Sequence, residues 1–138
     1  MKSDTSSAHV EYLHVCDYAF VSGNGKTAII GIFDRIYAST FPVMHPVMYL
    51  AVQVRSQPNQ VVSLRVVIES QSGEKVIDLP EQSLMAAPDG GIALHAQLLG
   101  VVFNRAGRYS VSVISRGEVL ATKTLELAKT AAAKTATA

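Results

Sequence analysis

Several chemistries are missing from this chain of 138 residues. It holds one cysteine, Cys16, so no internal disulfide can form, and a free thiol suits a reducing compartment. Charge of one sign is not in excess: 12 basic residues face 11 acidic ones, for a net charge of +1. That balance gives no bulk pull toward nucleic acid or an anionic membrane. No apolar run approaches the roughly 20 residues that a membrane-spanning helix requires. The opening residues, Met1 to Ala8, are polar and lack the apolar segment of a secretory signal. These features together predict a soluble, cytoplasmic protein with no nucleic-acid or membrane partner.

Motifs for catalysis and metal binding are missing as well. The histidines are His9, His14, His45 and His95. A zinc site needs three or four converging ligands. His14 and Cys16, two apart on a strand, would share a face but lack a second such pair. Cys16 as a nucleophile would need an activating base and an orienting group, and none is evident. Ser22-Gly-Asn-Gly-Lys26 lacks the spacing of a phosphate loop and no helix follows it, so it reads as a hairpin turn. No aromatic-interleaved basic stripe appears. No cofactor, no metal and no enzymatic activity are expected.

What the chain does contain is alternation. In the closing hairpin, Gly107 to Leu127, Tyr109, Val111 and Val113 fall on one face of a strand, with Arg108, Ser110 and Ser112 on the other. A period of two marks a half-buried strand. The same pattern predicts strands over Val10–Val21, Thr27–Ala38, Val47–Arg55, Gln60–Ser70, Lys75–Leu79 and Ile92–Phe103. In the middle pair, Met48, Leu50, Val52, Val54, Val62, Leu64, Val66 and Ile68 form the predicted core face. Ser39 to Pro46 reads as a loop stiffened by two prolines. Pro80 to Gly91 reads as irregular, with a single helical turn over Ser83–Ala87. About eight strands joined by short turns predict an all-β, antiparallel sandwich, preferred to a small closed barrel. The domain is expected over 10–127, after a flexible lead-in over 1–9. The low-complexity tail over 128–138 is expected to be disordered, although Ala and Lys would also suit a helix induced by a partner.

Short patterns within that frame resemble a known family. They are Cys16-Asp-Tyr-Ala-Phe-Val21, Gly25-Lys26, Ile29 to Ile36, Phe41-Pro-Val-Met-His-Pro46, Leu99 to Phe103 and Gly107-Arg-Tyr109. Over residues 12–127 the chain resembles a family of small bacterial proteins of unknown function. The resemblance implies an immunoglobulin-like sandwich and implies no activity, cofactor or site residue.

Three groups of residues stand out as interaction candidates. Asp34 and Arg35 interrupt an apolar strand; they either present a charged hot spot or serve structure by capping and cross-strand pairing, Arg35 with Asp17 for example. Phe41, Met44 and His45 occupy the proline-stiffened loop, as a hot spot or as an inward plug. Tyr49 and Val67, with Val47, Ala51 and Val61, make the nominal solvent face of the middle strands greasier than a bare monomer needs. The expected function is protein–protein interaction or self-association. The alternative is a small-ligand carrier with an end pocket at Phe41, Met44 and His45.

Overall fold

A computed structural model describes residues 8–130. Among them there are ten strands and no helix. They are β1 (His9–Val21), β2 (Thr27–Phe33), β3 (Arg35–Ala38), β4 (Val43–Arg55), β5 (Val61–Ser70), β6 (Lys75–Asp78), β7 (Gln82–Met85), β8 (Gly91–Phe103), β9 (Gly107–Ser115) and β10 (Glu118–Lys129). They form two sheets. One has the order β2-β1-β4-β8; the other has the order β3-β10-β9-β5-β6, with β7 also paired to β5.

The period-two alternation decides what lies between the sheets. Met48, Leu50, Val52 and Val54 on β4 are fully buried, and Val62, Leu64, Val66 and Ile68 on β5 are buried opposite them. Val111, Val113, Leu125 and Leu127 complete the inner face of the second sheet. Phe103 and Tyr109 meet edge to face at 5.1 Å. Tyr109 Oη donates a 2.7 Å hydrogen bond to the Arg105 carbonyl, so the one polar atom of that ring is satisfied inside an apolar core.

The architecture departs from the sequence reading in several places. The strands number ten rather than eight. Thr27 to Ala38 is two strands, because the chain leaves the first sheet at Asp34. Phe33 pairs with Val15 of β1, whereas Arg35 to Ala38 pair with Glu126 to Lys129 of β10. That β3–β10 pairing is parallel, so the sandwich is not wholly antiparallel. The apolar residues on both sides of Asp34 serve one core from opposite sheets, which a continuous apolar run cannot reveal. Gln82 to Met85 form a strand on β5 where a helical turn was expected.

The remaining departures concern ends. β4 begins at Val43, inside the expected loop. Pro46 brings no backbone N–H to the ladder and faces Gly100, whose φ is +63°. The alternation slips by one residue there, so Leu98, Val101 and Phe103 all reach the core while Leu99 and Val102 stay outside. Ala128 and Lys129 belong to β10 rather than to the tail, and His9 opens β1. The rest of the expected lead-in and tail, 1–7 and 131–138, lies outside the described residues.

Gly31 is conformationally obligatory. Its φ is +71°, and a Cβ there would collide with the Asp17 carboxylate. Gly31→Ala is therefore expected to cost at least about 1–3 kcal/mol. Phe103→Ala should cost about 3–5 kcal/mol, because the ring is wholly buried. Leu99→Ala, on an exposed side chain, should stay within about 0.5 kcal/mol. Urea denaturation of the three variants checks this order.

Candidate interaction face

Strand register stacks the outer residues of the four-stranded sheet in rows. Ile32, Cys16, Tyr49 and Gln97 share one row across all four strands. His14, Ala51 and His95 form the next, and Tyr12, Gln53 and Ala93 the one after. On the other side Ile30 lies beside Tyr18, Val47 beside Leu99 and Met44 beside Val102. None of these residues carries a formal charge. Among the described residues, an ion pair borders these rows at the far end, where Arg55 meets Glu11 at 3.1 Å.

Much of this face is apolar and open to water. Ile30 and Ile32 are about half exposed, and Leu99 reaches 64%. Tyr18, Met44, Val47 and Val102 are exposed as well. Four strands at about 4.8 Å spacing and some ten residues of about 3.3 Å rise give roughly 19 by 33 Å, or about 600 Å² in projection. That is the projection of the whole face, its glutamines and histidines included, and it approaches the area that one partner contributes to a standard interface. The outer face of the other sheet is different in kind. There Ser110, Ser112, Thr122 and Thr124 alternate outward, and Ser112 and Thr122 share a 3.2 Å hydrogen bond.

The face is ordered by local contacts. Tyr18 meets Tyr49 edge-on at 5.0 Å, and Gln97 Nε2 donates to Tyr49 Oη at 2.9 Å. Tyr12 stacks on His14 at 5.3 Å. Cys16 Sγ donates to the Tyr49 carbonyl at 3.6 Å and is fully buried. Burial pushes its thiol up from the ordinary value, and the nearby Asp17 carboxylate adds to this. Ala51 is the small residue between two imidazoles and is itself fully buried. His14 Nδ1 and His95 Nε2 are buried and have no hydrogen-bond partner. Burial lowers both imidazole pKa values, and Lys123 lowers that of His14 further.

The candidate residues from the sequence are dispersed. Tyr49 sits at the centre of the apolar face, but Val67 lies in the other sheet and is only 4% exposed. The single greasy surface expected from the middle strands is thus split between two outer faces. Ala51 is buried too, leaving Val47 on this face and Val61 on the other sheet. Within the expected loop, Phe41 packs against the core while Met44 is exposed, so the two do not plug the end of the sandwich together. His45 lies 5.8 Å from Phe33, ring to ring. Arg35 pairs with Glu126 at 3.0 Å, not with Asp17, and donates to Tyr37 Oη at 3.4 Å. Asp34 is exposed at the crossover, where its carbonyl accepts from Glu126 N.

An open cleft of about 480 Å³ lies beside that crossover, lined by Asp17, Phe33, Arg35, Ile36, Tyr37 and His45 among others. Among the described residues no three histidine, cysteine, aspartate or glutamate side chains converge to hold a metal ion. No described helix is long and apolar enough to cross a membrane. The sequence places His14 and Cys16 on one strand face but does not place Ile30, Ile32, Leu99 and Val102 beside them. Their signal was apolar residues at consecutive positions, Ile29-Ile30 and Leu98-Leu99, which leaves one member of each pair without a core to enter.

Comparison with known proteins gives a family and a fold. The model of a family of unknown function, DUF6941, matches residues 11–128. No curated protein matches. Among solved structures, the Pseudomonas fluorescens alkylpurine DNA glycosylase AlkC, bound to DNA containing an abasic site analog, is 16% identical with a TM-score of 0.55. The match covers 88% of this chain and 30% of that one. The beta-D-glucoside glucohydrolase of Trichoderma reesei is 15% identical at a TM-score of 0.53, covering 88% of this chain and 19% of that one. A beta-glucosidase from Listeria innocua in complex with isofagomine is 8% identical at 0.51, covering 86% and 16%. This chain therefore spans less than a third of each of those proteins, and at such identities the likeness concerns the fold alone.

Two measurements follow from the buried groups. Folded pKa values below the unfolded value of about 6.5 mean that the unfolded state takes up protons first. The histidine contribution is therefore complete above that pH and is lost as pH falls through it toward the folded values. Urea midpoints should drop between pH 7.5 and 5.5, and the double variant His14→Gln/His95→Gln should drop less. Cys16 should react with a thiol reagent in the native protein at least about tenfold more slowly than in the denatured one, since the attacking species is the thiolate.

Proposed function

The chain belongs to that family of unknown function, and from the geometry of its sheets we propose that it is a non-enzymatic interaction module. The uncharged outer face of β2, β1, β4 and β8 docks another protein chain. One observation carries this reading: seven large apolar side chains, Tyr18, Ile30, Ile32, Met44, Val47, Leu99 and Val102, are exposed on that one face. Rigid aromatic anchors at its centre, Tyr18 and Tyr49, suit a hot spot that loses little side-chain entropy on binding. The immunoglobulin-like form of the sandwich belongs to the same reading; the Tyr109 hydroxyl bonded back to Arg105, four residues upstream, supports it. A bacterial source and a cytoplasmic location are part of it too, the latter supported by the lone, buried Cys16 thiol.

A second reading is favoured by the cleft beside the crossover. Its apolar floor of Phe33 and Ile36, with Asp17, Arg35 and His45 around it, has the size and make-up of a small-ligand site. It uses His45 but not Phe41 or Met44. A thermal-shift screen with lipids, sugars and nucleotides tests it. A saturable rise in melting temperature supports a carrier, and a flat response across the three classes removes it.

The main reading is tested with Tyr18→Lys/Ile32→Lys, two exposed positions where lysine leaves the core untouched. The tagged protein and this variant are purified in parallel from the native host. A stoichiometric protein partner retained by the unaltered chain and lost by the variant is the expected result. Equal recovery by both, or no partner with either, overturns it.

A further inference from the structure

We infer that two copies of this domain also pair edge to edge through β8, antiparallel, making one eight-stranded sheet from two four-stranded ones. This extends the interaction reading to a second surface and names its occupant, another copy of the same chain.

The contrast among the sheet edges carries the inference. β3, β6 and β7 are edge strands of four residues each. β3 carries Arg35, and β6 carries Lys75 and Asp78. β2 is seven residues long and is distorted by the left-handed Gly31. These are the ordinary devices that keep a sheet from adding strands: shortness, charge and bulges. β8 has almost none of them. It runs for thirteen residues without a charged residue or a proline. Its one irregularity, Gly100, lies near its end, which leaves Gly91 to Leu99 regular. β8 pairs with β4 alone, so along its other side, past Gly91, whose carbonyl accepts from Ala87 N, it offers a row of backbone N–H and C=O groups. β6, from the other sheet, lies near β8 without forming a ladder with it.

The composition of β8 selects the occupant. In an antiparallel pair about a two-fold axis, each residue faces the symmetry-related stretch of its own strand. A charge near the axis would face its own copy and repel it; β8 has none to place there. Pairing preserves faces, so Ala93, His95, Gln97 and Leu99 of both copies would continue the outer rows. Leu94 and Ala96, inward-facing yet only half buried, would gain cover from the same residues of the second copy.

Size sets the strength. A contact about 30–43 Å long and about 10 Å thick buries on the order of 300–430 Å² per copy, below the standard interface. The dimer should therefore be weak, with a micromolar or higher dissociation constant, and should dissociate on dilution.

Sedimentation velocity of the full chain from about 5 to about 500 µM tests this, a range that brackets such a constant. Hydrogen exchange is read at both ends of the range. The expected result is a shift from one chain to two. β8 amides should exchange about fivefold or more slowly at the high concentration. Gln97→Lys/Leu99→Lys, both exposed, should remain monomeric throughout, because four lysines would meet at the seam; it loses only the exposed Gln97–Tyr49 bond and should lower the melting temperature by no more than about a few degrees. Tyr18→Lys/Ile32→Lys, toward the opposite edge, should dimerise normally. A monomer at the highest concentration overturns the inference, as does a dimer that survives Gln97→Lys/Leu99→Lys or leaves the β8 amides unprotected. None of these three results bears on the outer-face reading, which stands or falls on the loss of a different protein from the Tyr18→Lys/Ile32→Lys variant.

Discussion

Everything in this domain hangs on the dry contact between two inner faces. Leu50, Val52 and Phe103 from one sheet and Leu64, Ile68, Val111 and Leu125 from the other are almost completely removed from water. Each such side chain contributes roughly 1.5–3 kcal/mol of burial relative to exposure, far more than any surface ion pair present here. Strand geometry then leaves no freedom. Once one set of alternate residues enters the core, the other set must face outward, and a slip of one residue would exchange the two sets. The slip that does occur, at Pro46 and Gly100, is made on paired strands together, so the core keeps Leu98, Val101 and Phe103.

That constraint makes the two outer faces the informative surfaces. Both are assigned by the same inner packing, yet they differ in chemistry. Serines and threonines cover the central strands of the larger sheet, and ion pairs such as Arg65–Asp78 and Arg35–Glu126 lie toward its edges. The smaller sheet turns an uncharged surface of tyrosine, isoleucine, valine and leucine to solvent. Apolar area left exposed at this scale is costly to solubility and is usually retained for a contact. The long, uncharged edge of β8 borders the same surface, so the proposed docking face and the proposed pairing edge lie on one side.

The crossover at Asp34 has a different consequence. By passing from β2 to β3 the chain ties the edge of one sheet to the edge of the other and opens a cleft where they diverge. Arg35 is held by Glu126 and Tyr37 at that point, while Asp17 lies against the glycine that makes room for it. The likeness to segments of a DNA glycosylase and of β-glucosidases shows that such a sandwich occurs inside larger enzymes. It does not bring their chemistry to this chain, because sandwiches host many unrelated functions.

Sequence alone determined the all-β class, most strand positions and the core rows on β4, β5 and β9, because those depend on a period of two within one strand. It also put Tyr49 on an outer face and His14 and Cys16 on one side of β1. Tertiary structure decided what depends on which strands are neighbours: that Asp34 ends one sheet and Arg35 joins the other, that Val67 is covered while Ile30 and Ile32 are open, and that β8 lies at an edge. Alternation tells which residues of a strand point the same way. Only the order of strands in the sheets tells what, if anything, those residues meet.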